Sequence, residues 1–211
     1  MAGLTPPTFD ERSTLIEFLR QQRYVLKVAA FGLTDEQATA TPSVSALSVG
    51  GVIKHVALTE RHWIQRIIVG REVEGLEDEY ETGFQFVGDE TLESVLAFYD
   101  EVAAETEAAI ANEPDLGRLV PIPKGVPWFP QDEDNWSVRW VLLHVIEETA
   151  RHAGHADIVR ESVDGGTGFK LLATTRPRKA THRRGRNTCR LKNGNWACLV
   201  PDSGTRHAQF H

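Results

Sequence analysis

Four side chains able to bind a metal ion or move a proton fall within twelve residues: His144, Glu148, His152 and His155. At about 100° per helical residue, Glu148 lies about 40° round from His144, His152 about 80° and His155 about 20°. A helix over this segment therefore carries all four on one narrow stripe. Bundle helices ordinarily turn apolar residues inward, and three imidazoles with a carboxylate are costly to bury without partners. A divalent metal is one resolution, since neutral imidazole and ionised carboxylate are ligands for zinc, iron or nickel, and residues four apart can grip one ion. A hydrogen-bonded polar core is the competing one.

A catalytic metal needs a further protein ligand and an open position. His55 and His62, seven residues apart and so about 20° from alignment, are the candidates on a second helix. His55 follows Gly50-Gly51 among Val52, Ile53, Val56 and Ala57, which directs it inward. His62, beside Arg61 and nearer the helix end, is expected at the surface or behind the ligands. Arg139 and Arg151 could meet an anionic substrate, although helix arginines are more often solvated. Glu147 sits about 100° from Glu148 and cannot share the stripe.

Helical periodicity supplies the elements that must position these groups. It predicts helices from about Glu11 to Ala30, capped by Thr8 or Asp10, and from Ser48 to Val69, ended by Gly70. Two more run from about Glu90 to Ala111, capped by Asp89, and from the cap Ser137 to about Ser162. An acidic loop, Glu72 to Gly88, joins the second and third. The segment Pro114 to Gln131, with Pro121, Pro123, Pro127 and Pro130, forbids a long helix between the third and fourth. That segment carries Trp128 and Phe129 and could hold a short strand or fold over a pocket mouth. The fold class is all-α, a four-helix bundle with long connecting loops and an irregular C-terminal tail.

The 211 residues carry a net charge of −7 that is unevenly spread. From Gly166 to His211 there are ten Lys/Arg against one Asp, so residues 1–165 hold 13 Lys/Arg against 29 Asp/Glu. An acidic body repels phosphates and argues against nucleic acid as main partner. Residues 1–165 are expected to form the bundle and 166–211 a disordered or loosely packed basic tail. Such a tail reads as an anionic-surface arm, a solvated segment without a dedicated role, or sequence foreign to the fold. Both cysteines, Cys189 and Cys198, lie in it, so the bundle is stabilised without disulfides and neither is a good nucleophile candidate. Met1–Asp10 lacks the features of a signal peptide, and no apolar run approaches the ~18 residues of a membrane span, so the expected location is cytoplasmic, away from membranes.

The stretch from Trp136 to Glu161, WSVRWVLLHVIEETARHAGHADIVRE, resembles the last helix of the DinB-like superfamily of metal-binding bundles, and Ser48–Trp63, SVGGVIKHVALTERHW, resembles its second helix. The resemblance covers roughly residues 8–165. In such proteins one His of the second helix and two residues four apart on the last helix bind a divalent metal. Glu148 at the first of those two positions resembles the branch of mycothiol-dependent maleylpyruvate isomerase and mycothiol S-transferases. Position by position this implies His55, Glu148 and His152 as ligands of Zn2+, or of another divalent ion such as Ni2+ or Fe2+. His155 and His144 then become candidates to orient a ligand or move a proton in catalysis. The implied partners are a small-molecule thiol such as mycothiol and an electrophilic substrate, undergoing S-transfer or isomerisation. A metal-dependent hydrolase and a non-enzymatic metal-binding bundle are the alternatives, and a homodimer is a further expectation common to such bundles.

Overall fold

Each long helix begins where a side chain satisfies amides that the helix itself leaves free. In the computed structural model, which describes residues 4–72, 82–175, 189–192 and 195–198, Asp10 accepts from Ser13 N to start α1, Glu11–Ala29. Ser48 accepts from Gly51 N to start α3, Val49–Arg61, and Ser137 accepts from Trp140 N to start α5, Val138–Asp164. α4, Leu92–Ala111, is capped by Thr91, not by Asp89 two residues earlier. Thr91 and Ser94 exchange side-chain and backbone bonds in a capping box, whereas Asp89 lies outside the helix. Between α1 and α3 a short helix, α2 (Asp35–Thr39), is capped by Thr34. Its Asp35 Oδ1 accepts from Leu92 N at 2.8 Å and so ties α2 to the start of α4.

The second long helix changes pitch after Arg61. Residues His62–Ile68 form a π-helical continuation, seen in the bond from Val69 N to Ile64 O. Gly70, at φ 77°, then ends it in a conformation that favours glycine. π segments insert an extra residue into a turn and are frequent at functional sites.

α1 packs along α5, and α3 packs against both α4 and α5. The apolar core has two parts. One joins Leu26, Val52, Ile53, Val56, Tyr99 and Ala156. The other joins Leu19, Ile64, Ile110, Val120, Val141 and Leu142. A polar layer is buried as well: Arg23 (4 % exposed) makes a bidentate pair with Glu60 (1 % exposed), which also accepts from Thr106 Oγ1 at 2.6 Å.

The Pro-rich connection does hold a strand. β1 (Leu119–Pro121) pairs antiparallel with β2 (Asn135–Ser137), with Val120 opposite Trp136. The pairing closes 122–134 into a loop over one side of the bundle. The first compact unit continues to Arg176. Within it, Gly168–Thr175 forms α6, a departure from the irregular tail expected after residue 165. It packs on α1, and the Tyr24 and Thr175 hydroxyls lie 3.1 Å apart. The second unit, Pro177–His211, contains β3 (Cys189–Lys192) paired antiparallel with β4 (Asn195–Cys198). The basic run 176–188, expected to be irregular, lies outside the described residues, as do residues 73–81 of the acidic loop. Among the described residues no helix is long and apolar enough to cross a membrane.

Candidate metal centre and cavity

Helix pitch places Glu148 and His152 one turn apart on α5, and α3 brings His55 opposite them. His152 Nε2 lies 3.0 Å from Glu148 Oε1, and His55 Nε2 lies 3.6 Å from the same oxygen. One donor atom from each of the three residues lies within 4.8 Å of the others. Donors about 2.1 Å from a tetrahedral ion are spaced about 3.4 Å apart, so 3.0 and 3.6 Å bracket what a metal requires. The facing imidazoles, His152 first and His55 second, hold the Glu148 carboxyl far below the usual carboxylate range despite its partial burial. Two imidazoles and an ionised carboxylate form a donor set suited to a divalent ion of the zinc, nickel or iron kind.

Each donor has a local support. The other ring nitrogen of His152, Nδ1, lies 3.4 Å from His155 Nδ1, so His155 stands behind His152 on the side away from Glu148. The Phe84 ring stacks on His55, with centroids 3.9 Å apart and planes 16° apart. That stack depends on Gly51, because a Cβ there would lie 2.0 Å from the Phe84 carbonyl oxygen. A Cβ on Gly50 would lie 2.6 Å from the Phe86 ring. Lys54 Nζ fastens the crossing segment, donating to Gln85 O at 2.9 Å and to Glu90 Oε2 at 2.8 Å. The glycine pair thus serves close backbone approach, and the histidine that follows it is the one covered.

His55 and Glu148 face a cavity of about 610 Å³, walled by Trp63, Phe84, Trp128, Phe129, Trp136 and Trp140. His144 faces it too, stacked on Trp140 and edge-on to Trp63, and burial pulls its imidazole below the ordinary value. His62 also lines the cavity and is 7 % exposed, which removes the surface placement and leaves, of the two expected, the one inside near the ligands. Its Nδ1 is buried without a hydrogen-bond partner, and burial, with a smaller contribution from Arg66, pushes its pKa down to about 4. The Pro-rich loop folds over the mouth through Trp128, Phe129 and Pro130.

The arginines go elsewhere. Arg139 is bound to Glu11 of α1 through Nε and through Nη2, the latter at 3.0 Å. Arg151 and Glu147 are exposed on α5. The sequence reading missed Phe84 and the part of the aromatic wall formed by Trp63, Trp136 and Trp140, whereas Trp128 and Phe129 lie over the pocket mouth as one of its readings had them. For part of the wall a signal existed: Trp140 and His144 stand four apart on one helical edge, with Trp136 four residues earlier, in β2.

The model of the mycothiol S-transferase family matches residues 14–165, which takes in the whole constellation. The chain belongs to that family. No curated protein matches it in sequence. A solved structure, the conserved protein of locus from Enterococcus faecalis, superposes with a TM-score of 0.56 at 16 % identity, covering 75 % of this chain and 100 % of the other. At that identity the likeness shows a shared fold, and it supports the helical bundle expected of a mycothiol S-transferase family member.

Proposed function

We propose that the protein is a divalent-metal-dependent thiol S-transferase, with His55, Glu148 and His152 holding the ion, zinc the first candidate, and mycothiol or a similar low-molecular-weight thiol as co-substrate. The observation that carries this reading is the convergence of the three donors beside a cavity that His55 and Glu148 line and that is large enough for two small reactants. Membership of the mycothiol S-transferase family supports it. When bound there, a divalent cation supplies the positive charge that favours thiolate over thiol, whose free pKa is about 8.5.

The remaining steps belong to the chain. His155 orients His152 through the Nδ1 contact and so fixes which nitrogen faces Glu148. His144, kept neutral by burial, accepts the proton that the thiol gives up. The aromatic walls exclude water from the nucleophile. Sulfur then forms a bond to an electrophilic carbon, and the leaving group departs with its bonding pair. Where the electrophile is instead a conjugated double bond, no group leaves and the electron pair moves onto the activating carbonyl; if that pair returns and expels the thiolate after rotation about the former double bond, the net result is isomerisation.

The test incubates zinc-loaded protein with mycothiol and 1-chloro-2,4-dinitrobenzene and follows the conjugate by mass spectrometry. Conjugation should require both protein and thiol, and should fall at least 100-fold in His152→Ala. Protein-dependent turnover of the electrophile at an equal rate without any thiol would refute the transferase and favour activation of water.

A further inference from the structure

Aromatic rings line this cavity far beyond what three metal donors need for support. Trp63 is the hub, its ring 5.0 Å from Trp136, 5.9 Å from Trp140 and 5.4 Å from Phe129. Along α5, Trp136 and Trp140 stack at 4.8 Å with planes 2° apart, and His144 continues the series at 5.4 Å and 12°. Trp140 and His144 are aligned by their four-residue spacing on α5, and Trp136, in β2 just before the cap Ser137, completes three near-parallel planes. The Pro-rich loop adds Trp128 from the other side of the mouth.

Much of this wall is left open. Trp140 is 42 % exposed and Trp128 is 65 % exposed, although both border a concave site. A large apolar surface kept in contact with water inside a cavity marks a ligand surface. Its chemistry selects the ligand. Among the described residues no lysine or arginine lines the cavity, so the chain offers no fixed positive charge to a carboxylate or phosphate. Ring faces and edges are what it offers, and these favour another flat ring in offset or edge-on contact.

We propose that the electrophile this site recognises is a flat aromatic molecule, held against the exposed surfaces of Trp140 and Trp128, and not a small aliphatic one. The proposal rests on the S-transferase reading for the word electrophile, but the binding preference can be measured without thiol or turnover.

The experiment is calorimetric titration of the zinc-loaded full chain, in the absence of thiol, with 2-naphthamide and with its fully saturated bicyclic carboxamide. The planar amide should bind at least tenfold more tightly. Trp140→Leu should abolish that preference and Trp140→Phe should retain most of it, with zinc content unchanged in both. Trp128→Leu, in the loop, should reduce the preference independently. Equal affinity for the two amides, no binding of either, or an undiminished preference in Trp140→Leu would overturn the proposal. Absence of the preference in the wild type alongside intact thiol-dependent conjugation would reject the aromatic proposal alone. An intact preference without thiol dependence would reject the transferase alone.

Discussion

The Phe84 carbonyl oxygen occupies the place where a side chain on Gly51 would begin, 2.0 Å from the ideal Cβ position. Because that oxygen is backbone, it cannot swing aside, and the segment carrying Phe84 must move with it. Alanine in a helix interior normally gains about 0.5–1 kcal/mol over glycine. At Gly51 the overlap outweighs that gain. Gly51→Ala should destabilise the fold by about 1–3 kcal/mol and weaken zinc binding about tenfold by removing Phe84 from His55. Gly154→Ala on α5, where a Cβ meets nothing within 4 Å, should instead stabilise by about 0.5–1 kcal/mol. Chemical denaturation and zinc titration of the two variants check the contrast.

His155 touches His152, not the cavity, so its removal should alter metal affinity before it alters chemistry. Partners behind metal-binding histidines typically change affinity by about 10–100-fold. His155→Phe should therefore bind one zinc with affinity at least tenfold weaker, whereas His155→Gln, which can still bond Nδ1 of His152, should recover most of it. Competition with a chromophoric chelator measures both. An unchanged affinity in His155→Phe would remove the residue from the account.

His62 makes stability depend on pH. Its folded pKa, about 4, lies below the ordinary value of 6.5 because burial disfavours the charged ring. Between those values the unfolded chain binds the proton and the folded chain does not, so stability falls as pH drops from about 6.5 toward 4 and is fully present above. The full difference corresponds to roughly 3 kcal/mol, of which about 2 kcal/mol or a little more is lost by pH 4.5. Urea unfolding of metal-free protein at pH 7.5 and pH 4.5 should show a loss that is smaller by about 2 kcal/mol in His62→Leu than in wild type. An identical loss in the two proteins would show that His62 is not the group responsible.

The sequence carried most of the bundle because its signals are local. Periodicity and the caps Asp10, Ser48 and Ser137 set three helix starts within a residue or two. The placement of Glu148 and His152 on one edge followed from pitch alone. The start of α4 was missed by two residues because Asp89 and Thr91 are both good cap residues, and only the reciprocal bond with Ser94 decides between them. His62 lies on the cavity side because it stands seven residues, and so about 20°, from His55 on the same helix; its neighbour Arg61 pointed to the surface, but pitch outweighs that signal. Phe84 lay beyond sequence reasoning for another reason. Its contact with His55 spans 29 positions and depends on a path across Gly51 that only tertiary packing defines. The glycine pair is visible in the sequence just before His55, but what it makes room for is not.

An ion held jointly by α3 and α5 is central to the proposed chemistry. The direct measurement is metal stoichiometry and affinity by elemental analysis and zinc titration of wild type, His55→Ala, Glu148→Ala, His152→Ala and His144→Ala, each checked for folding by circular dichroism. One equivalent of metal in wild type and in His144→Ala, with affinity reduced at least 100-fold in the other three, is the predicted result. Wild-type protein that is folded yet takes up no zinc, nickel or iron, or His55→Ala and His152→Ala binding as tightly as wild type, would contradict it.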